Sequence, residues 1–540
     1  MSRRSRAKAP VRAPAGRAIN TRTAGTREFN RRAQAAIRRT ARNQARRRRT
    51  VSRSPFRPIE VLRRIPRAAL TCALVACLNA ACWSIITPPF QVTDEPTQFA
   101  YTQYVVEHGQ LPTAREGNYS PEEGVALADL HQSAVLWHPE NHTISSAAEQ
   151  NRLQEELDQH PGREGEGVGG SAADPPLSYL LEIVPYELGS GGTLLDQLEL
   201  MRLLSALMAG LTGLFVFLFI RETLPRVPWA WTVGGLSVAL APLLGFASGA
   251  VNPDSMLFAV SAAIFYCLAR AFRRGLTRRV AIAIGALLAI GLLTKPNFIG
   301  LVPGVVLGLI VLTIRAARID RGAAVRSLAI ALAIPASPVC LYALVNLLAS
   351  RPALGTASEN LALGNGRSIF SDLGYVWQLY LPRLPGMTNH FPGISTTLQL
   401  WFDRFVGLYG WLDTTFPPWV YTAALLPTGL IALLGMRALA ANRIALRQRL
   451  GEITVYVVMA IGLMALIGSH AYLNISAEGG AGHAQPRYLL PLIPLAGVAL
   501  ALAARGAGRR FGPPVGAVIV VLFLAYDVFS QLLVVSRFYA

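Results

Sequence analysis

About eleven stretches of this chain are apolar over the roughly 17 to 25 residues that an α-helix needs to cross a bilayer, and this constrains its fold more than anything else. They lie near 68–87, 200–220, 229–248, 254–271, 279–294, 297–314, 326–349, 418–436, 452–470, 488–504 and 514–535. Hydrocarbon offers backbone groups no hydrogen-bond partner, so the runs are predicted to be helices. Composition agrees. Of 540 residues 52% are hydrophobic and 15% charged, where soluble domains carry about 25% charge. A soluble enzyme, a disordered chain and a disulfide scaffold are excluded. The expected fold is an all-α polytopic membrane protein with about 11 transmembrane helices. The five cysteines all fall inside apolar runs and read as small hydrophobes.

The net charge of +20 is unevenly placed. Roughly 22 basic residues precede the first run, in a segment without apolar periodicity. Residues 1–67 are expected to be a disordered basic cytoplasmic tail, attracted to anionic lipids and not to a specific nucleic acid, since no folded reader motif accompanies it. With the N-terminus inside, the short loops 221–226, 270–279, 315–326, 437–449 and 505–510 hold about 18 basic residues, against about nine in the outside loops. That sets the expected topology as N-in, C-out. The membrane part, 68–540, then has two large extracytoplasmic loops, 88–199 and 350–417. The first is acidic, with about 19 carboxylates against three arginines, and all eight histidines fall on or beside the outer face. Loops this long are seldom mere connectors. Abundant arginine and only two lysines suit a GC-rich bacterial genome; the expected location is a bacterial plasma (inner) membrane.

Several polar residues stand where outer loops meet the bilayer. Asp94 and Glu95 follow the first run, in TPPFQVTDEPTQ. Thr-Asp-Glu-Pro is also how a helix begins, so a cap and a general base towards a hydroxyl are both open. Asn252 and Asp254 open the fourth run, as a helix-start charge or a substrate contact. Lys295, one of the two lysines, breaks the positive-inside trend; it either snorkels or holds a phosphate. Trp411 and Asp413 lie in WFDRFVGLYGWLDTTFPPW, an interfacial belt or a platform for sugar rings. His483, Arg487 and Tyr488 precede the tenth run, and the Arg487 fork suits phosphate oxygens. His131, His138 and His142 cluster with acids, but no full metal-ligand set is spelled out and no metal residue is assigned. No phosphate-cradling glycine loop is present, and Gly304 and Gly308 form one GxxxG packing motif.

The stretches PPFQVTDEP, DPPLSYLLEIVPYELG (174–189), SGAVNPDSM, LLTKPN, GLYGWLDTTFP and QPRYLLPLIP, in this order, resemble the bacterial membrane family described as domain of unknown function 2142. That family is similar to the GT-C superfamily of integral-membrane glycosyltransferases. The resemblance implies a GT-C-like fold and a hexosyl- or pentosyltransferase that moves a sugar, with inversion, from a polyprenyl-phosphate donor to a cell-envelope acceptor. It implies a first-loop acid as base, which falls on Asp94 with Glu95 beside it. The donor phosphate is then assigned to Arg487, Lys295 and His483, and substrate contacts to Asn252, Asp254, Trp411, Asp413 and Tyr488. The acceptor is a glycan, lipid or protein. No cofactor is assigned with certainty, and a divalent cation stays open because the acid pair is Asp-Glu. The alternatives are a transporter or flippase of lipid-linked glycans and a non-catalytic envelope-assembly scaffold. A transporter would place ionisable residues deep in its helices, whereas here the helix centres are nearly free of charge, with Arg202 and Asp527 expected close to helix ends.

Overall fold

The computed structural model describes residues 65–112, 117–143, 146–356, 369–390, 399–478 and 485–539. Residues 66–540 belong to one compact unit. All eleven apolar runs are helical. Among the described residues, nine helices are long and apolar enough to cross a membrane, ten if one bent pair counts as a single span.

The first spanning helix is α1 (Arg67–Ile86); after a short loop come α2 (Glu95–His108) and, further on, α3 (Leu177–Leu188). A 30-residue helix follows, α4 (Leu194–Thr223). Thr193 and Asp196 close a reciprocal capping box at its start, and Arg221 faces the dipole at its end. The run 229–248 is not straight. It breaks into α5 (Pro228–Ala239) and α6 (Pro242–Ser248), bent by 53°. Pro242 accounts for the break, because it lacks an N–H and its ring clashes with the preceding turn. The helix α7 (Pro253–Arg274) is the most enclosed, with 83% of its apolar window buried. Asp254 in its first turn and Arg273 and Arg274 in its last complement both ends of its dipole.

Then come α8 (Arg278–Thr294), α9 (Val302–Ala317, entered through the 3₁₀ turn Pro296–Leu301) and α10 (Arg321–Leu348). At 17 residues α8 is about 25 Å long, just short of the nine. The chain continues through α11 (Pro418–Ala441), α12 (Leu450–Glu478), α13 (Ile493–Gly506) and α14 (Gly508–Tyr539). The GxxxG motif packs α9 on α12: a Cβ on Gly304 would lie 2.6 Å from the Met459 nitrogen. Leu74, Ile85, Leu207 and Leu426 are exposed, as side chains facing lipid are. A two-stranded hairpin, Leu408–Tyr409 paired with Thr414–Thr415, presents Trp411 and Asp413 in its turn.

One expectation needs correction. Asp527 lies well inside α14, not near its end, and is buried. Asn79 and Trp83 donate to its Oδ1 at 3.3 and 3.1 Å, and Gln531 to its Oδ2 at 3.0 Å. Interhelical polar bonding of this kind holds membrane helices together.

Candidate functional site

The loop from α1 to α2 brings Asp94 to the N-cap position of α2, but its carboxylate caps nothing. Its backbone is left-handed, with φ 70°, a region that non-glycine residues occupy at a cost. The backbone carbonyl closes the helix start, accepting from Gln98 N at 3.1 Å and Thr97 Oγ1 at 2.9 Å. The side chain, 41% exposed, is thereby free to meet the Arg487 guanidinium.

Glu95 turns to different partners. Its carboxylate is fully buried and receives two bonds from Arg202 of α4, at 2.8 and 2.6 Å. Phe90 N and Val251 N donate to it at 2.9 and 3.0 Å. Arg202 spends its remaining donors on the carbonyls of Ser84, Thr87 and Pro88. The four bonds to Glu95 tie the start of α2 to α4, to its own entry loop and to the approach to α7, so it is no second open carboxylate beside Asp94. Two neighbours in sequence have diverged into a strut and an accessible acid.

Arg487 is the hub of the open cluster. It sits on the 3₁₀ turn Pro486–Leu492 that leads into α13. Besides Asp94 it reaches the Thr93 carbonyl at 3.2 Å, and its Nε lies 3.8 Å from Asp254 Oδ2 without a hydrogen bond. Lys295, at the joint of α8 and α9, holds Asp254 Oδ1 at 2.7 Å. Asn252 Oδ1 accepts from Asp254 N at 2.9 Å and so caps α7. Tyr488 lies 5.4 Å from the Arg487 guanidinium and 6.0 Å from the Lys295 ammonium, within cation–π range of both. Residues from four separate stretches thus converge at one end of the helix bundle.

The sequence reading missed a further acid. Asp174, in the loop before α3, accepts from Thr356 Oγ1 at 2.9 Å and from Tyr179 Oη at 3.3 Å. Burial pushes its carboxyl above the usual range; Lys295 draws it down and Asp94 pushes it up, so it shares the field of the cluster. Tyr179 also donates to Gln98, which bonds Ser171 at 2.9 Å. The missed signal was an aspartate beside prolines ahead of an apolar run, the cue that marked Asp94 and Asp254.

The remaining candidates stand elsewhere. Trp411 borders the cluster, donating from Nε1 to the Phe90 carbonyl at 3.1 Å. Asp413 does not join it: Thr414 donates to it at 3.1 Å and Arg537 lies 3.8 Å away. His483 lies outside the described residues. His131 and His138 pair with Glu149 and Glu140 at 3.6 and 3.1 Å on exposed surface. Among the described residues no group of three His, Cys, Asp or Glu side chains is placed to hold a metal ion. Asp94 and Asp254 already face Arg487 and Lys295, so this acid set does not fit a cation as arranged. Beside Arg487 a crevice of about 20 Å³, lined by Thr93, Phe246, Leu412 and Gln485, has room for about one water.

Residues 77–496 match the family model described as "Predicted membrane protein (DUF2142)", and the chain belongs to that family. No curated protein matches it in sequence. Among solved structures it is similar to crystal structures of the Archaeoglobus fulgidus oligosaccharyltransferase, in the apo form and tethered with an acceptor peptide containing the NVT sequon via a disulfide bond. It is also similar to the archaeal oligosaccharyltransferase AglB from Archaeoglobus fulgidus in complex with an inhibitory peptide and a dolichol-phosphate. Identity is 12% and the TM-score 0.39 in each case, over 87% of this chain. The chain spans little more than half the length of those structures, 55 to 56%.

Proposed function

With membership of that membrane family as premise, we propose that the chain is an inverting glycosyltransferase of the GT-C kind. It takes a sugar from a polyprenyl-phosphate donor and passes it to a glycan, lipid or protein acceptor of the bacterial envelope, on the extracytoplasmic face of the plasma membrane. The observation that carries this reading is the Asp94 side chain. Its carboxylate stands at a helix start without capping it, and from a strained backbone it meets a buried arginine at one end of the bundle.

In this reading the donor phosphate competes with Asp94 for Arg487, and Lys295 adds a second positive charge. Asp94, released from the guanidinium, takes the proton of the acceptor hydroxyl. The acceptor oxygen forms its bond to the anomeric carbon as the bond from that carbon to the phosphate oxygen breaks. The leaving phosphate takes the electron pair and stays paired with Arg487 and Lys295. Asp254 keeps the two cations at a fixed spacing, and Tyr488 covers them. Glu95 positions the loop and touches no substrate. His483 and Asp413 are proposed no further as contacts, and the tail 1–67 is proposed as an anchor on anionic lipid.

A flippase reading draws on Asp527, an ionisable group deep inside a spanning helix. Its donors come from three fixed side chains, which favours a packing role.

The test uses purified wild type and Asp94→Asn in nanodiscs, given labelled polyprenyl-phosphate sugars and envelope extract, with and without chelator. Transfer by wild type and a drop of roughly 10²- to 10⁴-fold in the folded variant is expected, on the scale of general-base catalysis. Undiminished transfer by Asp94→Asn removes the base assignment, and loss of transfer with chelator reopens the metal.

A further inference from the structure

The opposite end of the bundle carries a second polar cavity that the transfer reading does not use. It has a volume of about 580 Å³, in the range of small-molecule sites. Four guanidinium groups line it: Arg226 before α5, Arg437 near the end of α11, Arg505 in the last turn of α13, and Arg509 at the start of α14. Asn442 and Trp229 complete its wall.

Among the described residues no carboxylate compensates the charge in this cavity. The apolar-run boundaries at this end hold three carboxylates, and each is engaged elsewhere. Glu222 pairs with Arg273 and Arg274 at 2.8 and 2.6 Å and has Arg270 at 4.0 Å. Glu452 pairs with Arg449 at 2.8 Å, and Asp320 Oδ1 caps α10 by accepting from Ala323 N at 3.0 Å. Among the described residues none of the four cavity arginines forms an ion pair. One neutral partner is present: Arg505 Nη2 donates to Asn442 Oδ1 at 2.8 Å.

The fold creates this concentration of charge. Gly506 packs so closely on α11 that a Cβ there would lie 1.9 Å from the Leu434 carbonyl oxygen. Gly508, at φ 92°, then reverses the chain into α14. The close approach brings Arg505 and Arg509 against Arg437 although their helices are far apart in sequence. The start of α5, whose N-cap Val227 supplies no side-chain cap, adds the positive end of a helix dipole.

Depth identifies the ligand chemistry. Helix α4 carries Arg202, the partner of Glu95, near one end and stops at Thr223, three residues before Arg226. The 21 residues between Arg202 and Thr223 rise about 30 Å, which matches the hydrocarbon thickness. The cavity therefore lies at the headgroup level of the far leaflet, with a tryptophan in its wall. Guanidinium forks match phosphate oxygens, and basic pockets between spanning helices suit phospholipid headgroups. We propose that this arginine cavity is a phosphate-binding site, taking the phosphate of an anionic phospholipid headgroup or of a soluble phosphate ester. It is independent of the transfer reading, because it shares no residue with the Asp94 cluster.

The full chain is placed in phosphatidylcholine nanodiscs with or without phosphatidylglycerol, and lipid retained on the protein is measured by native mass spectrometry. A second arm titrates glycerol phosphate into nanodiscs of phosphatidylcholine alone. The triple variant R437Q/R505Q/R509Q is compared with the charge-matched R318Q/R443Q/R447Q, whose arginines are exposed at the same end outside the cavity. Loss of retained phosphatidylglycerol by roughly a hundredfold in the cavity variant alone supports the site with a lipid ligand. The same pattern with glycerol phosphate alone supports it with a soluble one. Equal loss in both variants, or loss in neither, overturns the proposal. Should the cavity variant fail to fold, phenylglyoxal labelling of the wild type decides. Arg437, Arg505 and Arg509 must react more slowly with phosphatidylglycerol or glycerol phosphate present while Arg443 and Arg447 are unchanged; uniform labelling overturns the site.

Discussion

Two ion-paired clusters lie within a few residues of each other at one end of the bundle, and they are built on opposite principles. Around Glu95 and Arg202 both carboxylate oxygens and the guanidinium are matched, water is excluded, and every bond ties one element to another. Around Asp94 and Arg487 the backbone is strained, the acid is half-buried, and one guanidinium nitrogen makes no hydrogen bond among the described residues. A fully satisfied cluster stabilises and has nothing left to offer a ligand. An incompletely satisfied one is held in place by its surroundings and has capacity to bind. Charge alone would not separate them, since both are acid–arginine pairs.

The largest effect is expected at the closed cluster. Arg202→Met leaves the Glu95 carboxylate buried without a charge partner and should cost about 3–5 kcal/mol, read as lost folded protein or a lowered unfolding midpoint in detergent. Adding Glu95→Leu should recover much of that loss; if the double variant is no better than the single, the two groups are not a pair. At the open cluster the order of effects reverses. Arg487→Lys keeps a positive charge but loses the fork, so transfer should fall roughly 10²-fold while unfolding changes little. A variant that loses stability instead would make Arg487 a second strut.

Asp94→Gly sharpens the contrast further. Glycine adopts a left-handed backbone without steric cost, so unfolding should shift upward by up to about 1 kcal/mol as transfer disappears. A destabilised Asp94→Gly protein would mean that the ion pair with Arg487 outweighs the strain.

The smallest effect tests a third kind of buried acid. Glu123, in the short helix Pro121–Asp129 between α2 and α3, is fully buried, and neither carboxylate oxygen has a hydrogen-bond partner among the described residues. Burial, and then the neighbouring Glu122, push its carboxyl well above its ordinary value of 4.5. The folded state therefore binds this proton more tightly than the unfolded chain. The resulting stability is fully present below the ordinary value, declines as pH rises from there to the raised value, and is level beyond it. Glu123→Gln should remove that component of the decline. Unfolding midpoints of the two proteins from pH 4 to 8 provide the check, and parallel curves would mean that Glu123 finds a cation on folding.

Much of this was readable in the chain itself. The eleven apolar runs are helices because the hydrocarbon permits nothing else, and membership of the membrane family agrees with the stretches that suggested it. Asp94, Asp254, Lys295, Arg487 and Tyr488 stood out because charge at an apolar boundary is costly and rare, and the fold gathers them. Pro242 was a visible cue to the break in the third run, yet the run's hydropathy concealed it. Where sequence reasoning went astray, the deciding contact was distant. Glu95 looked equivalent to Asp94 until Arg202, 107 residues away, proved to face it. Asp527 looked marginal until three donors from two helices met it.

Local chemistry thus determined the solvent this protein folds in, its helices, and which residues are too expensive to lie where they do without a reason. Only the tertiary structure decided which of those residues are satisfied by one another and which remain open. Satisfaction is a property of pairs, and the partner's position depends on helix phase, a proline break and the close approach of glycine-bearing helices. None of these is written beside the residue whose role it settles.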